Sequence, residues 1–100
     1  MVELTDLPGG DLVVAGLQDL EDGLLSLNAL LVLAGAPRLR AAGLAVPVVE
    51  LDDFPEHLLY AALLASEELD PYRAYNSLLR RLVSFESALE QSAFDDRDRA

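Results

Sequence analysis

Apolar residues recur along this chain mostly at helical spacing, with polar residues between them. Leu12, Val13, Gly16, Leu17 and Leu20 fall at i, i+1, i+4, i+5 and i+8, one face of a helix, and Gln18, Asp19 and Asp22 fall on the other. The preceding "PGG" reads as a turn that closes a short arm over residues 1–10. Asp11 then stands where a carboxylate can cap the first free N–H groups. Gly16 interrupts the apolar face. Glycine costs a helix about 1 kcal/mol against alanine, so its expected use is to admit a second backbone at close range. Gly23 is expected to stop this helix, with Leu24 folding back over the last turn.

Ser26 is a second expected cap. The following "LNALLVLAGAPRLRAAG" is apolar on every side until Arg38, the pattern of a helix surrounded by protein. Proline inside a helix removes a hydrogen bond. The preferred reading therefore ends this helix near Gly35 and starts a short one with Pro37 in its first turn, stopped by Gly43. Residues 44–52 carry strand-like valines, but Pro47 breaks the run and no second strand exists to pair with it. They read as an extended connector whose Val46, Val48 and Leu51 plug gaps between helices.

Two helices complete the pattern. Asp53 and Glu56 resemble a capping box with Pro55 in the first turn, and the apolar face beyond them reads Phe54, Leu58, Ala62, Ala65 and Leu69, with Leu63 and Leu64 pointing elsewhere. Asp70 caps the last helix and Pro71 opens it. Tyr75, Leu78, Leu82, Phe85 and Leu89 follow at spacings of 3, 4, 3 and 4, a seam for packing along another helix. The last residues, 94–100, read as a frayed charged tail. These elements predict a single all-α domain over 1–100, a small irregular bundle of four to five helices with one extended connector.

Composition adds a second expectation. In 100 residues 52% are hydrophobic, more than a small monomer can bury. The surplus, together with a central helix that needs covering all round, predicts a homodimer or a subunit of a complex. Leu27, Leu31, Leu63, Leu64, Leu78 and Leu82 are the expected interface residues. The charge is −11, from 18 acidic and 7 basic residues, and all the basic ones are arginine. A field of that sign repels phosphate and argues against nucleic acid. The chain has no cysteine, so disulfides, thiolate metal sites and cysteine nucleophiles are excluded. "MVELTDLPGG" has neither the basic nor the apolar region of a signal peptide. The longest apolar run, "LLSLNALLVLAGA", is 13 residues and too short to span a bilayer. No membrane association and a cytoplasmic location are therefore expected.

Candidate chemistry is sparse. His57 is the only histidine. It could pair with Asp53 one turn earlier as a metal ligand, but it falls with Tyr60 and Glu68, away from the apolar face, and is expected in solvent. A metal-dependent enzyme built on His57 has nothing else behind it. The serines lack a general base, the "PGGD" turn lacks the lysine of a phosphate loop, and no catalytic constellation is recognisable. No cofactor, metal or enzymatic activity is expected. Glu86 lies on the flank of the last helix's apolar face. Arg38, Arg40 and a tyrosine hydroxyl are its candidate partners if it is buried, and reaching water along its own stem is the expected arrangement. Arg73, Asn76 and Arg80 share one face, with Arg81 at its edge. They read either as an anion site, with tyrosines nearby, or as a solvated face paired with some of the 18 acids.

The function expected from these residues is a non-enzymatic helical interaction protein, homodimeric and adaptor- or antitoxin-like, that binds a protein partner. The alternative is a small module binding an anionic ligand through Arg73, Asn76 and Arg80.

Overall fold

In the computed structural model the described backbone covers residues 3–66 and 69–98, with side chains described to residue 92. A 3-10 turn, Leu4–Asp6, leads into five α-helices: α1 (Gly10–Glu21), α2 (Leu27–Ala34), α3 (Ala36–Ala41), α4 (Pro55–Ala65) and α5 (Pro71–Asp98). No strand occurs among the described residues. The fold is a small all-α bundle.

The centre is α2. Ala29, Leu30, Leu31, Val32 and Leu33 are all buried, as the uniformly apolar sequence requires. Helices α1, α4 and α5 pack around it. Ser26 caps α2, its hydroxyl accepting from the Ala29 N–H at 3.1 Å and donating to the Asp19 carboxylate. Gly16 lets α1 onto α2: a Cβ there would lie 2.3 Å from the Asn28 carbonyl oxygen. Leu31, Leu39, Leu59, Val13, Val32 and Phe85 are the largest fully buried side chains, and each contributes about 1.5–3 kcal/mol by leaving water.

The expected stops and starts at Gly23, Gly35, Pro37 and Gly43 are present. Gly23 and Gly43 have positive φ, and the Leu24 and Leu44 N–H groups reach back to the Asp19 and Leu39 carbonyls at 2.8 and 3.0 Å. Leu24's side chain nonetheless stays more than half exposed. Asp70 caps α5, accepting from the Arg73 N–H at 3.0 Å, and Pro71 is its first residue.

Several details differ from the sequence reading. Helix α1 starts at Gly10, after Gly9 in the left-handed conformation, so Asp11 sits inside the first turn and pairs with Arg81 at 3.3 Å instead of capping. Gly9 is packed so closely on α5 that a Cβ would meet the Arg81 carbonyl oxygen at 2.5 Å. Asp53 does not cap α4. Phe54 holds that position, and the Asp53 carboxylate accepts from the Phe54 N–H at 2.7 Å and from His57. The buried face of α4 is Leu59 and Leu63, with Leu58 and Ala62 half-buried beside it, while Phe54, Ala65 and Leu69 are exposed. Helix α4 is apolar almost all round, so periodicity does not select a face and docking on α2 does. In the connector Val46 is buried and Leu51 half-buried, but Val48 is 85% exposed and Val49 takes the inner place. Arg40 fixes that segment by donating to the Val46 and Pro47 carbonyls at 3.1 and 3.0 Å. Helix α5 continues through Asp98 where fraying after Ala93 is expected; Arg99 and Ala100 lie outside the described residues.

Candidate functional site

Two successive helices bring three tyrosines together. Glu56, His57 and Tyr60 lie within the first two turns of α4, and Tyr72 and Tyr75 one turn apart at the start of α5. The two helices pack against each other, and these five residues line a cleft of about 460 Å³ between them, within the ~300–1,000 Å³ of small-ligand pockets. The Tyr60 and Tyr75 rings meet edge to face, centroids 5.4 Å apart and planes at 81°, a favourable aromatic arrangement. Both are half-buried, whereas Tyr72 is 67% exposed. His57 is oriented from outside the cleft. Its Nδ1 lies 3.1 Å from the Asp53 carboxylate, which as an ionised acid can only accept. Nδ1 is thus the donor, and in the neutral ring Nε2 keeps its lone pair. The Phe54 ring stands edge-on to the imidazole at 5.5 Å. The Phe54 N–H, and after it His57, hold the Asp53 carboxyl below its usual range. The cleft therefore offers aromatic faces, hydroxyls, one carboxylate and an imidazole.

The sequence holds a usable signal for this cleft. Glu56 and Tyr60 are four apart, Tyr72 and Tyr75 three apart, and the helices carrying them follow one another closely in the chain. Sequence reasoning instead singles out the arginines. Arg73, Asn76 and Arg80 do share one side of α5, but they do not converge. Arg73 is almost fully in solvent and sits 3.7 Å from Asp70. Arg81 turns to Asp11. Arg80 is exposed and makes no hydrogen bond or ion pair with a described residue. With Asn76, Leu79, Val83 and Ser84 it lines a shallow groove of about 480 Å³.

Glu86 is buried, at 5% exposure, where a solvent-reaching arrangement is expected from sequence. Of the candidate partners it takes Arg38, whose Nη1 donates to its carboxylate at 3.4 Å. Arg38 also forks onto Glu90, with Nε donating at 2.9 Å and Nη2 donating to the second oxygen, and Nη2 reaches the Ser87 hydroxyl at 3.3 Å. Burial pushes the Glu86 carboxyl up, against the pull of Arg38, and the Glu90 charge pushes the same way as burial. The Arg38 hydrogen bond holds Glu90 below its usual range. This cluster ties α3 to α5, and the glycine at their crossing makes room for it. A Cβ on Gly35 would lie 2.9 Å from Glu86 Oε2 and 3.0 Å from the Leu82 methyls.

Of the expected interface residues, Leu31, Leu63 and Leu82 are buried in the chain's own core, Leu27 and Leu78 are half-buried, and Leu64 is exposed. His57 is exposed as expected; Glu68, grouped with it from sequence, lies outside the described residues. Among the described residues no three His, Asp or Glu side chains gather as a metal site, and no helix is long and apolar enough to cross a membrane. Comparison of the chain with protein-family models, curated proteins and solved structures returns no match.

Proposed function

We propose that the protein is a non-enzymatic interaction module that pairs with a second copy of itself through α5 and in that form holds a protein partner. The observation that carries this reading is a row on α5, beside its buried seam, whose Leu79 and Val83 are left uncovered by the rest of the chain. Asn76, Leu79, Val83, Glu86 and Glu90 follow at 3, 4, 3 and 4, the same spacing as the buried seam beside them. Arg38 of α3 covers the last two. The first three stay open: Val83 is 50% exposed, Leu79 is half-buried, and both line the groove that holds Arg80. A matching helix laid along that groove would cover Leu79 and Val83 as Arg38 covers Glu86 and Glu90. Leu64 and Leu69, 58% and 100% exposed, add apolar surface. Arginine is enriched at interfaces and among the residues that carry their binding energy.

Val83 is the residue to change, because it is open in the single chain. Val83→Glu is expected to convert a dimer to a monomer with unchanged helical circular dichroism. Leu31→Glu and Leu82→Glu would test folding instead, since both side chains are core.

The second reading, an anion site on the same face, draws support from Arg80 alone, the guanidinium there without a partner among the described residues. One exposed fork gives weak binding. If that reading holds, Arg80→Ala abolishes phosphate-induced shifts of the Asn76 side-chain amide and leaves the oligomer unchanged.

A further inference from the structure

We infer that the cleft between α4 and α5 is a binding site for an organic cation, an ammonium or guanidinium group carried on carbon, received by the tyrosines and Glu56. The site is built on rigid elements. Glu56 and Tyr60 stand one turn apart on α4, and Tyr72 and Tyr75 one turn apart on α5. Tyr60 and Tyr75 form two walls that meet near a right angle, at 81° and 5.4 Å between centroids. Tyr72 stands at the exposed side.

Ring faces carry the negative end of the aromatic quadrupole and attract a cation within about 6 Å of the centroid. One ring's edge lies against the other's face, so a cation is received on the ring surface that lines the cleft, with Glu56 on the same lining. Glu56 adds a full negative charge, and no positively charged side chain lines the cleft. His57 does not oppose this in its neutral form, because Nδ1–H is committed to Asp53 and the other ring nitrogen presents a lone pair. The chain's charge of −11 concentrates cations around it further. An anion has no donor here except tyrosine hydroxyls. A neutral apolar ligand would use the walls and leave Glu56 unanswered. Charge and shape together thus select a cation with apolar bulk.

The test is a titration of the purified wild-type protein at constant ionic strength, read by the tyrosine ring resonances. Choline chloride is compared with 3,3-dimethyl-1-butanol, which has the same shape and no charge. The expected result is saturable shifts of Tyr60, Tyr72 and Tyr75 with choline, about tenfold tighter than with the neutral alcohol. Glu56→Gln is expected to weaken choline several-fold and leave the alcohol unchanged. Tyr72→Ala removes an exposed ring, so it should keep the fold and weaken choline as well. Two further ligands, N-acetyl-lysine methylamide and N-acetyl-arginine methylamide, separate the sources. Tighter binding than choline assigns the site to a side chain of a partner protein, and weaker binding assigns it to a free quaternary ammonium compound. Equal affinity for choline and its neutral counterpart, or no saturable shift, overturns the inference. The outcome is independent of dimerisation: a monomer that binds choline keeps it, and a dimer that does not loses it.

Discussion

Glu86 sits at 5% exposure on α5, and it does not stand alone. Its partner Arg38 is 41% exposed and already forked onto Glu90, so removing the Glu86 charge strands no buried cation. Ionised Glu86 is held against its own desolvation, which raises its carboxyl above the ordinary range. Between the ordinary and the raised value the folded state binds more protons than the unfolded one, and stability falls as pH rises through that window. Glu90 works in the opposite direction, because its lowered carboxyl gives stability that is lost as pH falls. Glu86→Gln should therefore be at least as stable as wild type at neutral pH. Its advantage should shrink as pH drops into the carboxyl range, as followed by thermal unfolding across a pH series. A melting point well below wild type at neutral pH would mean that the pair is net stabilising. The sequence names Arg38 as a candidate partner and puts Glu86 on the flank of the seam. It does not reveal the burial, because that depends on where α3 docks, and the spacing within α5 carries no information on α3.

The elements themselves are largely legible. Ser26 and Asp70 cap where their side chains predict, Pro37 and Pro71 stand in first turns, and Gly23 and Gly43 end helices with positive φ. These signals are local: each needs only a side chain and the nearest turn of backbone. Faces are harder. The α5 seam is readable because polar residues bound it, whereas α4 is apolar on nearly every side and its inner pair, Leu59 and Leu63, is chosen by contact with α2. The tyrosine cleft is legible only in part: the spacings of Glu56 and Tyr60 and of Tyr72 and Tyr75 mark two faces, but whether those faces meet depends on how α4 packs on α5. Gly16 is a local residue with a consequence at this scale, because it sets the distance between α1 and α2. Gly16→Ala should gain helix propensity in α1 and still destabilise the protein by about 1–3 kcal/mol, the cost of forcing a methyl into a packed contact. Urea unfolding checks this, and a variant as stable as wild type would show that α1 can move off α2 freely.

At the scale of the whole molecule the apolar surplus divides in two. Helix α2 needs no second chain to surround it, because one chain buries Ala29 to Leu33 by itself. What stays uncovered is spread over the surface, at Leu24, Leu25, Val48, Phe54, Leu64, Leu69, Tyr72 and Val83, and only Val83 of these lines the groove beside Arg80. Helix α5 runs 28 residues, about 42 Å at 1.5 Å per residue, in a molecule 48 Å in its longest dimension. The open part of its seam, from Asn76 to Val83, takes up about two turns of that length. Composition shows that a surplus exists but not which residues carry it, since that depends on how the helices pack. Native mass spectrometry of the wild-type protein, purified without denaturation, decides whether α5 pairs with its copy. A mass of two chains is expected. A single-chain mass at concentrations where weak dimers persist would contradict it, and would leave the open face of α5 without the partner assigned to it here.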